Sequence, residues 1–184
     1  MQRENATSAA LYYMLHTTLI TGALFLIADL ISKQRGKAED RFVSSRKMAH
    51  EKTLGIAFFI AALTVVGMPP LSGFLGKVLI LQAAEGMTEM AWVWSVILLS
   101  GLASLVAISR AGTSIFWRHS KDSANTSSDP IHPMKIIAVV LLLSASPLLV
   151  ILGGPVTDYT HQAAVQLHDT TQSVDALLIQ GGNE

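Results

Sequence analysis

The stretch GMPPLSGFLGKVLIL, residues 67–81, lies inside a long apolar segment and contains two adjacent prolines, three glycines and one lysine. Proline removes a backbone donor and clashes with the preceding helical turn, so two in a row are expected to interrupt a helix. The pattern therefore predicts a helix broken at residues 67–70, with Lys77 just beyond the break. The residues assigned to the break and its flanks are Gly67, Pro69, Pro70, Ser72, Gly73 and Gly76.

The composition around this stretch is that of a membrane protein. Of 184 residues, 51% are hydrophobic and only 14% are charged, whereas an ordinary soluble domain is about a quarter charged. Roughly 20 apolar helical residues cross a bilayer core, and four segments reach that length. We predict an all-α membrane protein with four transmembrane helices, the second of them broken, at about 6–32, 53–84, 90–110 and 134–155. The first is too long for the core of a signal peptide and is expected to be a membrane anchor.

Several classes of function have no support in the sequence. The formal net charge is zero, which gives no basis for nucleic-acid binding, and the absence of cysteine excludes disulfides and cysteine metal sites. We find no nucleophile constellation, phosphate-binding loop or cofactor motif, so we expect no cofactor, no metal and no soluble enzyme. Four histidines lie in loops or the tail without convincing metal-ligand spacing: His119, His132, His161 and His168.

The distribution of lysine and arginine predicts the orientation. Residues 33–52 hold seven of the thirteen basic residues, residues 110–135 hold four, and the turn at 85–90 and the tail after Lys135 hold none. Basic residues accumulate in cytoplasmic loops, so we expect the turn at 85–90 and both termini outside a bacterial cell membrane. The predicted domains are a transmembrane portion, 1–157, and an extracytoplasmic tail, 158–184, for which a short surface helix is one interpretation.

Lys77 is the first candidate functional residue, because an ammonium group at membrane depth costs about 2.5–3.5 kcal/mol on insertion scales. It lies seven residues past Pro70, about 10 Å along a helix. Burial disfavours a charged lysine and a nearby carboxylate favours it, so a lysine balanced between the two can take up and release protons. The alternative is that its stem runs along the apolar surface and carries the amine to the interface.

His16 is the second candidate, because it lies well inside the first predicted helix. Histidine titrates near physiological pH and can relay protons. The alternative is a hydrogen-bonded packing residue with no role in transfer. Thr17, Thr18 and Thr21 follow it; they can hold a chain of water molecules or bond the carbonyls of their own helix.

The motif GMPPLSGFLGKVLIL resembles the broken helix of the antiporter-like membrane subunits found in Mrp-type cation/proton antiporters and in respiratory complex I. Residues 10–31, ALYYMLHTTLITGALFLIADLI, resemble the preceding helix of that fold. Residues 109–118, SRAGTSIFWR, and 153–169, GGPVTDYTHQAAVQLHD, resemble the D subunit of the Mrp antiporter more narrowly.

This resemblance implies a fold of two inverted repeats, each with one broken helix, and a proton path through lysines, histidines and water coupled to sodium or other cation exchange. The family's lysine or glutamate on the second broken helix matches Lys77, and its histidine on the preceding helix matches His16. The implied partners are membrane lipid, other antiporter subunits, protons and monovalent cations. The resemblance places the chain in roughly the last third of the family protein, so we expect it to be the C-terminal portion of the fold. Since an inverted repeat needs its counterpart to form a midplane site, the alternative is that another chain supplies the missing helices.

Two other hypotheses stay open at this point. One is a proton-pumping subunit of a redox complex such as complex I or a membrane hydrogenase, in which proton movement requires electron transfer. The other is a truncated product with only a structural or assembly role, in which Lys77 finds a carboxylate across an interface. Because no carboxylate lies at membrane depth in the predicted helices, we expect any charge partner of Lys77 to come from another chain.

Overall fold

The computed structural model describes residues 2–35, 48, 50–117 and 133–169, and the regular structure within them is helical throughout. Much of the basic first loop, the connection at 118–132 and the tail from 170 lie outside the described residues. The helices follow in the order α1 (Gln2–Arg35), α2 (Glu51–Val66), α3 (Ser72–Ala83), α4 (Met90–Phe116), α5 (Pro133–Ile151) and α6 (Gly153–His168).

The interruption between α2 and α3 falls where the sequence predicts a break. Gly67 ends α2 in the left-handed region, with φ 83°, which glycine adopts without steric cost and which commonly ends helices. The backbone N–H groups of Gly67 and Met68 both donate to Leu63 O, at 3.1 and 3.0 Å. The chain then turns, and α3 begins at Ser72.

Within the part of the chain that the structure describes, three helices are long and apolar enough to cross a membrane: Arg3–Arg35, Met90–Phe116 and Pro133–Ile151. The expected second crossing is divided between α2, with 16 residues, and α3, with 12. Neither half is as long as the roughly 20 residues of a full crossing. The predicted all-helical membrane class is therefore found, with three continuous candidate spans among the described residues and the second predicted helix divided at the expected break.

Helix α1 is the centre of the packing, because it contacts α2, α3, α5 and α6. One half of the bundle is held by a buried aliphatic core along the second half of α1. Its members come from α1, from α2 and from α5: Ile20, Ala23, Ile27, Leu30, Ile31, Leu54, Ala61, Val139 and Leu143. This core places the first half of α1, which carries His16, beside the break.

Polar contacts join the ends of the helices. Asp29 accepts from Lys33, at 3.3 Å, and from Lys135, which ties the end of α1 to the start of α5. Helix α6 begins at Gly153, before the position 158 at which we expected the tail, and packs against the start of α1. There Ser8 Oγ and Thr160 Oγ1 lie 3.0 Å apart.

Helix α4 packs against α2 and α3 through part of its surface. The rings of Phe116 and Phe58 have centroids 5.6 Å apart. Most of its other large apolar side chains are exposed, including Trp92 at its start, and Trp117 is exposed just beyond its end. Helix α4 thus has a largely apolar exposed surface.

Candidate functional site

The Lys77 side chain reaches back from α3 to the end of α2. Its Nζ donates to Val66 O at 2.6 Å and, more weakly, to Val65 O at 3.4 Å. The last carbonyls of a helix have no partner within the helix, and they form the negative end of its dipole. In the described residues Lys77 therefore has backbone oxygens as its partners, and the amine points to the break and away from the far end of α3.

Two glycines make room for this amine. A β-carbon added to Gly67 would lie 3.1 Å from Lys77 Nζ, and one added to Gly101 of α4 would lie 3.4 Å from it. The amine is thus enclosed between the end of α2 and the middle of α4. Larger residues at either position would approach the nitrogen at or inside ordinary van der Waals distance.

His16 is buried, with 3% of its surface exposed, and it belongs to a hydrogen-bonded chain that joins three helices. Its Nδ1 lies 2.8 Å from Ser72 Oγ, at the start of α3. Ser72 Oγ lies 2.8 Å from Ser146 Oγ of α5, and the Ser72 backbone N–H donates to the same Ser146 oxygen at 3.2 Å. Both serines are buried, so no part of this chain depends on a surface side chain.

The remaining glycines of the motif are points of close approach between helices. A β-carbon at Gly73 would overlap Thr64 O, in the last turn of α2, and would lie 3.1 Å from His16 Nε2. One at Gly76 would lie 2.9 Å from a ring carbon of Tyr13. These contacts bring His16 to the break, where Lys77 binds the carbonyls. The two prolines, Pro69 and Pro70, are exposed and lie in the turn between α2 and α3.

Two of the three threonines after His16 bond their own helix. Thr17 Oγ1 donates to Tyr13 O at 2.7 Å and Thr18 Oγ1 donates to Met14 O at 2.8 Å, which is the second of the two arrangements considered above. An open groove of about 580 Å³ nevertheless runs along this face between α1 and α3. Its lining is Ala10, Tyr13, Met14, Thr17, Thr18, Thr21 and Ile80.

The other histidines that the structure describes do not join this site. His168 Nε2 lies 2.9 Å from Thr7 Oγ1, near the start of α1. His161 is exposed. His119 and His132 lie outside the described residues. Among the described residues, no group of three or more His, Cys, Asp or Glu side chains is placed to hold a metal ion.

Sequence reasoning missed two groups that complete the site. The first is the pair of α2 carbonyls that bind Lys77, which the break itself leaves without helical partners. The second is Ser146, which lies in an apolar helix beside an equally plausible Ser144. Ser144 is exposed and donates to Leu141 O of its own helix at 2.8 Å. Only the packing of α5 against α1 and α3 distinguishes the two.

Together these features define a multi-pass helical membrane protein with a discontinuous helix and a lysine at the discontinuity. Residues 1–106 match the family described as "NADH:quinone oxidoreductase/Mrp antiporter, TM". The chain belongs to this family, and the resemblance predicted from the broken-helix motif is confirmed.

Individual relatives agree with this family assignment. The chain is 36% identical to the D subunit of the Na(+)/H(+) antiporter of Bacillus subtilis over 92% of its length and 34% of that protein's. It is 29% identical to the D subunit of a probable K(+)/H(+) antiporter of Rhizobium meliloti, over 89% of its length and 35% of that protein's. It is 35% identical to the NADH-quinone oxidoreductase subunit 14 of Thermus thermophilus over 52% of its length and 21% of that protein's. The chain spans about a third of the length of the two antiporter subunits.

Proposed function

We propose that this chain is part of a secondary active antiporter that exchanges sodium or potassium for protons, and that Lys77 and His16 carry protons at mid-membrane depth. The observation on which the proposal rests is the 2.6 Å contact between Lys77 Nζ and Val66 O at the break of the helix. Its relatives named as subunits of Na(+)/H(+) and K(+)/H(+) antiporters support the exchange reaction.

The partners of Lys77 suit a group that changes its protonation state. Carbonyl oxygens at the end of a helix accept hydrogen bonds from an ammonium group, which they favour, and also from a neutral amine. A carboxylate would instead stabilise the charged form strongly and hold the proton. Because the described partners of Lys77 are the carbonyls of Val65 and Val66, loss of a proton leaves no buried anion behind.

His16 extends this path on the other side of Gly73. A neutral imidazole has one nitrogen that donates and one that accepts, so it can receive a proton on one side and release it on the other. Nδ1 is engaged with Ser72, and Nε2 faces Gly73 next to the end of α2. The proposed transfer between Lys77 and His16 passes along this end of α2, through water where the groups are not in direct contact.

We further propose that α2, the break and α3 form one interrupted crossing, so that the chain crosses the membrane four times within the inverted-repeat fold of its family. A break in lipid requires cover by protein or water, which α1, α4 and α5 supply in part. In this arrangement Asp29 and Lys135 lie at the cytoplasmic end and the turn at 85–90 lies outside. The exposed face of α4 contacts lipid, and other subunits of the antiporter complete the assembly.

The test is cation/proton exchange in inverted membrane vesicles from cells that express the whole antiporter complex. Lys77→Ala is expected to abolish sodium- or potassium-dependent collapse of a pH gradient while the complex assembles normally on a native gel. Lys77→Arg tests whether a permanent charge is sufficient, and it is expected to fail because arginine stays protonated. Lys52→Ala, an exposed lysine at the start of α2, is the matched control. Normal exchange in assembled Lys77→Ala complexes would remove Lys77 from the mechanism.

The redox-pump hypothesis is favoured by one observation, the similarity to a subunit of a Thermus thermophilus NADH-quinone oxidoreductase. It predicts that proton movement requires electron transfer to quinone and does not depend on a sodium or potassium gradient. The same vesicles distinguish the two, because an antiporter responds to added cation without electron transfer. A purely structural role predicts instead that exchange survives both Lys77→Ala and His16→Ala.

A further inference from the structure

The buried serine pair beside His16 has few possible hydrogen-bond arrangements. Ser146 Oγ has two described partners, the backbone N–H of Ser72 and the hydroxyl of Ser72. The first is a donor, so the Ser72 oxygen is the one described acceptor for the Ser146 hydroxyl hydrogen. Ser146 differs in this from Ser144 on the same helix, whose hydroxyl donates to Leu141 O of α5 itself.

The direction of the hydrogen bonds that join Ser146, Ser72 and His16 follows from these partners. If Ser146 donates to Ser72, the Ser72 hydroxyl hydrogen is free to donate to the one partner left, His16 Nδ1 at 2.8 Å. The reverse order, in which Nδ1–H donates to Ser72 and Ser72 donates to Ser146, leaves the buried Ser146 hydroxyl hydrogen without an acceptor among the described residues. A buried donor left without an acceptor is unfavourable, so the first order is the stable one.

We infer that Ser146, acting through Ser72, is a positioning residue that holds neutral His16 as the tautomer protonated on Nε2. The position of Nε2 fixes where the hydrogen of this tautomer points. Nε2 is the nitrogen that approaches Gly73 and the end of α2, since a β-carbon on Gly73 would lie 3.1 Å from it. The hydrogen that His16 can donate therefore faces the break, where Lys77 binds the α2 carbonyls.

The role of this tautomer in transport rests on the proposed function, whereas the tautomer itself can be measured without transport. The titratable groups around His16 in the described residues are Lys77 of α3, which interacts with it electrostatically, and two tyrosines of α1. The ring of Tyr13 has its centroid 5.7 Å from that of His16, and Tyr12 lies one turn away. From α2 and α5 the facing groups are the Thr64 carbonyl and the Ser146 hydroxyl, which are not ionised.

The experiment is solid-state NMR of the antiporter complex in lipid, with ¹⁵N-labelled histidine in this chain, at about pH 9, where imidazole is ordinarily neutral. The His16 signals are identified by their loss in His16→Gln. We expect a protonated Nε2 and an unprotonated Nδ1 in the native chain. Ser144→Ala should leave this pattern unchanged, Ser146→Ala should mix the two tautomers, and Ser146→Thr, which keeps the hydroxyl, should restore the single one.

Two results would overturn the inference. One is a native His16 protonated on Nδ1, which decides the question even if Ser146→Ala does not assemble. The other is a Ser146→Ala complex with the native tautomer unmixed. Both results are read from the nitrogen signals of His16. Failure of the proposed function is a different result, in which Lys77→Ala shows normal exchange and the His16 tautomer is as expected.

Discussion

Gly73 lies so close to the carbonyl oxygen of Thr64 that a β-carbon added to the glycine would overlap that oxygen. Thr64 belongs to the last turn of α2 and Gly73 to the first turn of α3, so the two halves of the broken helix meet backbone against backbone. His16 shares this contact through Nε2. The missing side chain at position 73 is what permits α1, α2 and α3 to converge.

Gly73→Ala is therefore expected to destabilise the protein and to displace His16 from the break. Overpacking of a close contact costs about 1–3 kcal/mol, and occasionally more, and here the obstacle is backbone that cannot rotate away. Thermal unfolding of the purified complex in detergent should show a lower Tm. Gly154→Ala is the matched control, because nothing lies within 4 Å of a β-carbon at that position; an equal Tm for the two variants would contradict the argument.

Tyr12→Phe removes a hydrogen bond between α1 and the end of α5. Tyr12 is fully buried, and its hydroxyl donates to Leu149 O at 3.2 Å. Leu149 lies in the last turn of α5, where carbonyls lose their helical partners. We expect a loss of about 1 kcal/mol in stability, seen as a small fall in Tm. Tyr159→Phe, at a tyrosine that is 73% exposed, should leave Tm unchanged, and an effect as large as that of Tyr12→Phe would argue against the buried bond.

The break and the burial of His16 could be predicted because their signals are local. Adjacent prolines and glycines interrupt a helix whatever packs around it, and a histidine inside an apolar helix has to find a polar partner. The expected crossing at 53–84 accordingly divides into α2 and α3. The expected range of the last membrane helix, to 155, runs past the end of α5 at Ile151 and takes in Gly153, Gly154 and Pro155, which belong to the first turn of α6.

The partners of the two candidate residues could not be predicted, because they depend on tertiary packing. A charge partner of Lys77 from another chain stays a prediction, and its described hydrogen bonds are to the carbonyls of Val65 and Val66, twelve and eleven residues away. Ser146 contacts Ser72 across 74 positions. Since α5 is apolar nearly all round, its sequence does not show which of its serines faces α1.

Asp29→Asn should loosen the junction of α1 with α5. Its carboxylate binds Lys33 on the same helix and Lys135 on α5. These groups are partly exposed, so the effect should be small and should shrink as salt screens the charges. Tm measured at low and at high salt checks this, with Glu85→Gln, an exposed carboxylate between α3 and α4, as the control. A deficit that persists undiminished at high salt would mean that the ion pairs are not its cause.

The interrupted crossing can be tested directly, because the chain contains no cysteine and single cysteines can be introduced one at a time. Lys52→Cys, at the start of α2, and Thr88→Cys, between α3 and α4, are both at exposed positions. If α2 and α3 together cross the membrane with the proposed orientation, a membrane-impermeant maleimide added to intact cells labels Thr88→Cys and spares Lys52→Cys. Inverted vesicles should give the opposite pattern, and Ala23→Cys, at a buried position, should react only after denaturation. Labelling of positions 52 and 88 from the same side would mean that the two halves form a re-entrant hairpin, and the proposed four crossings would be wrong.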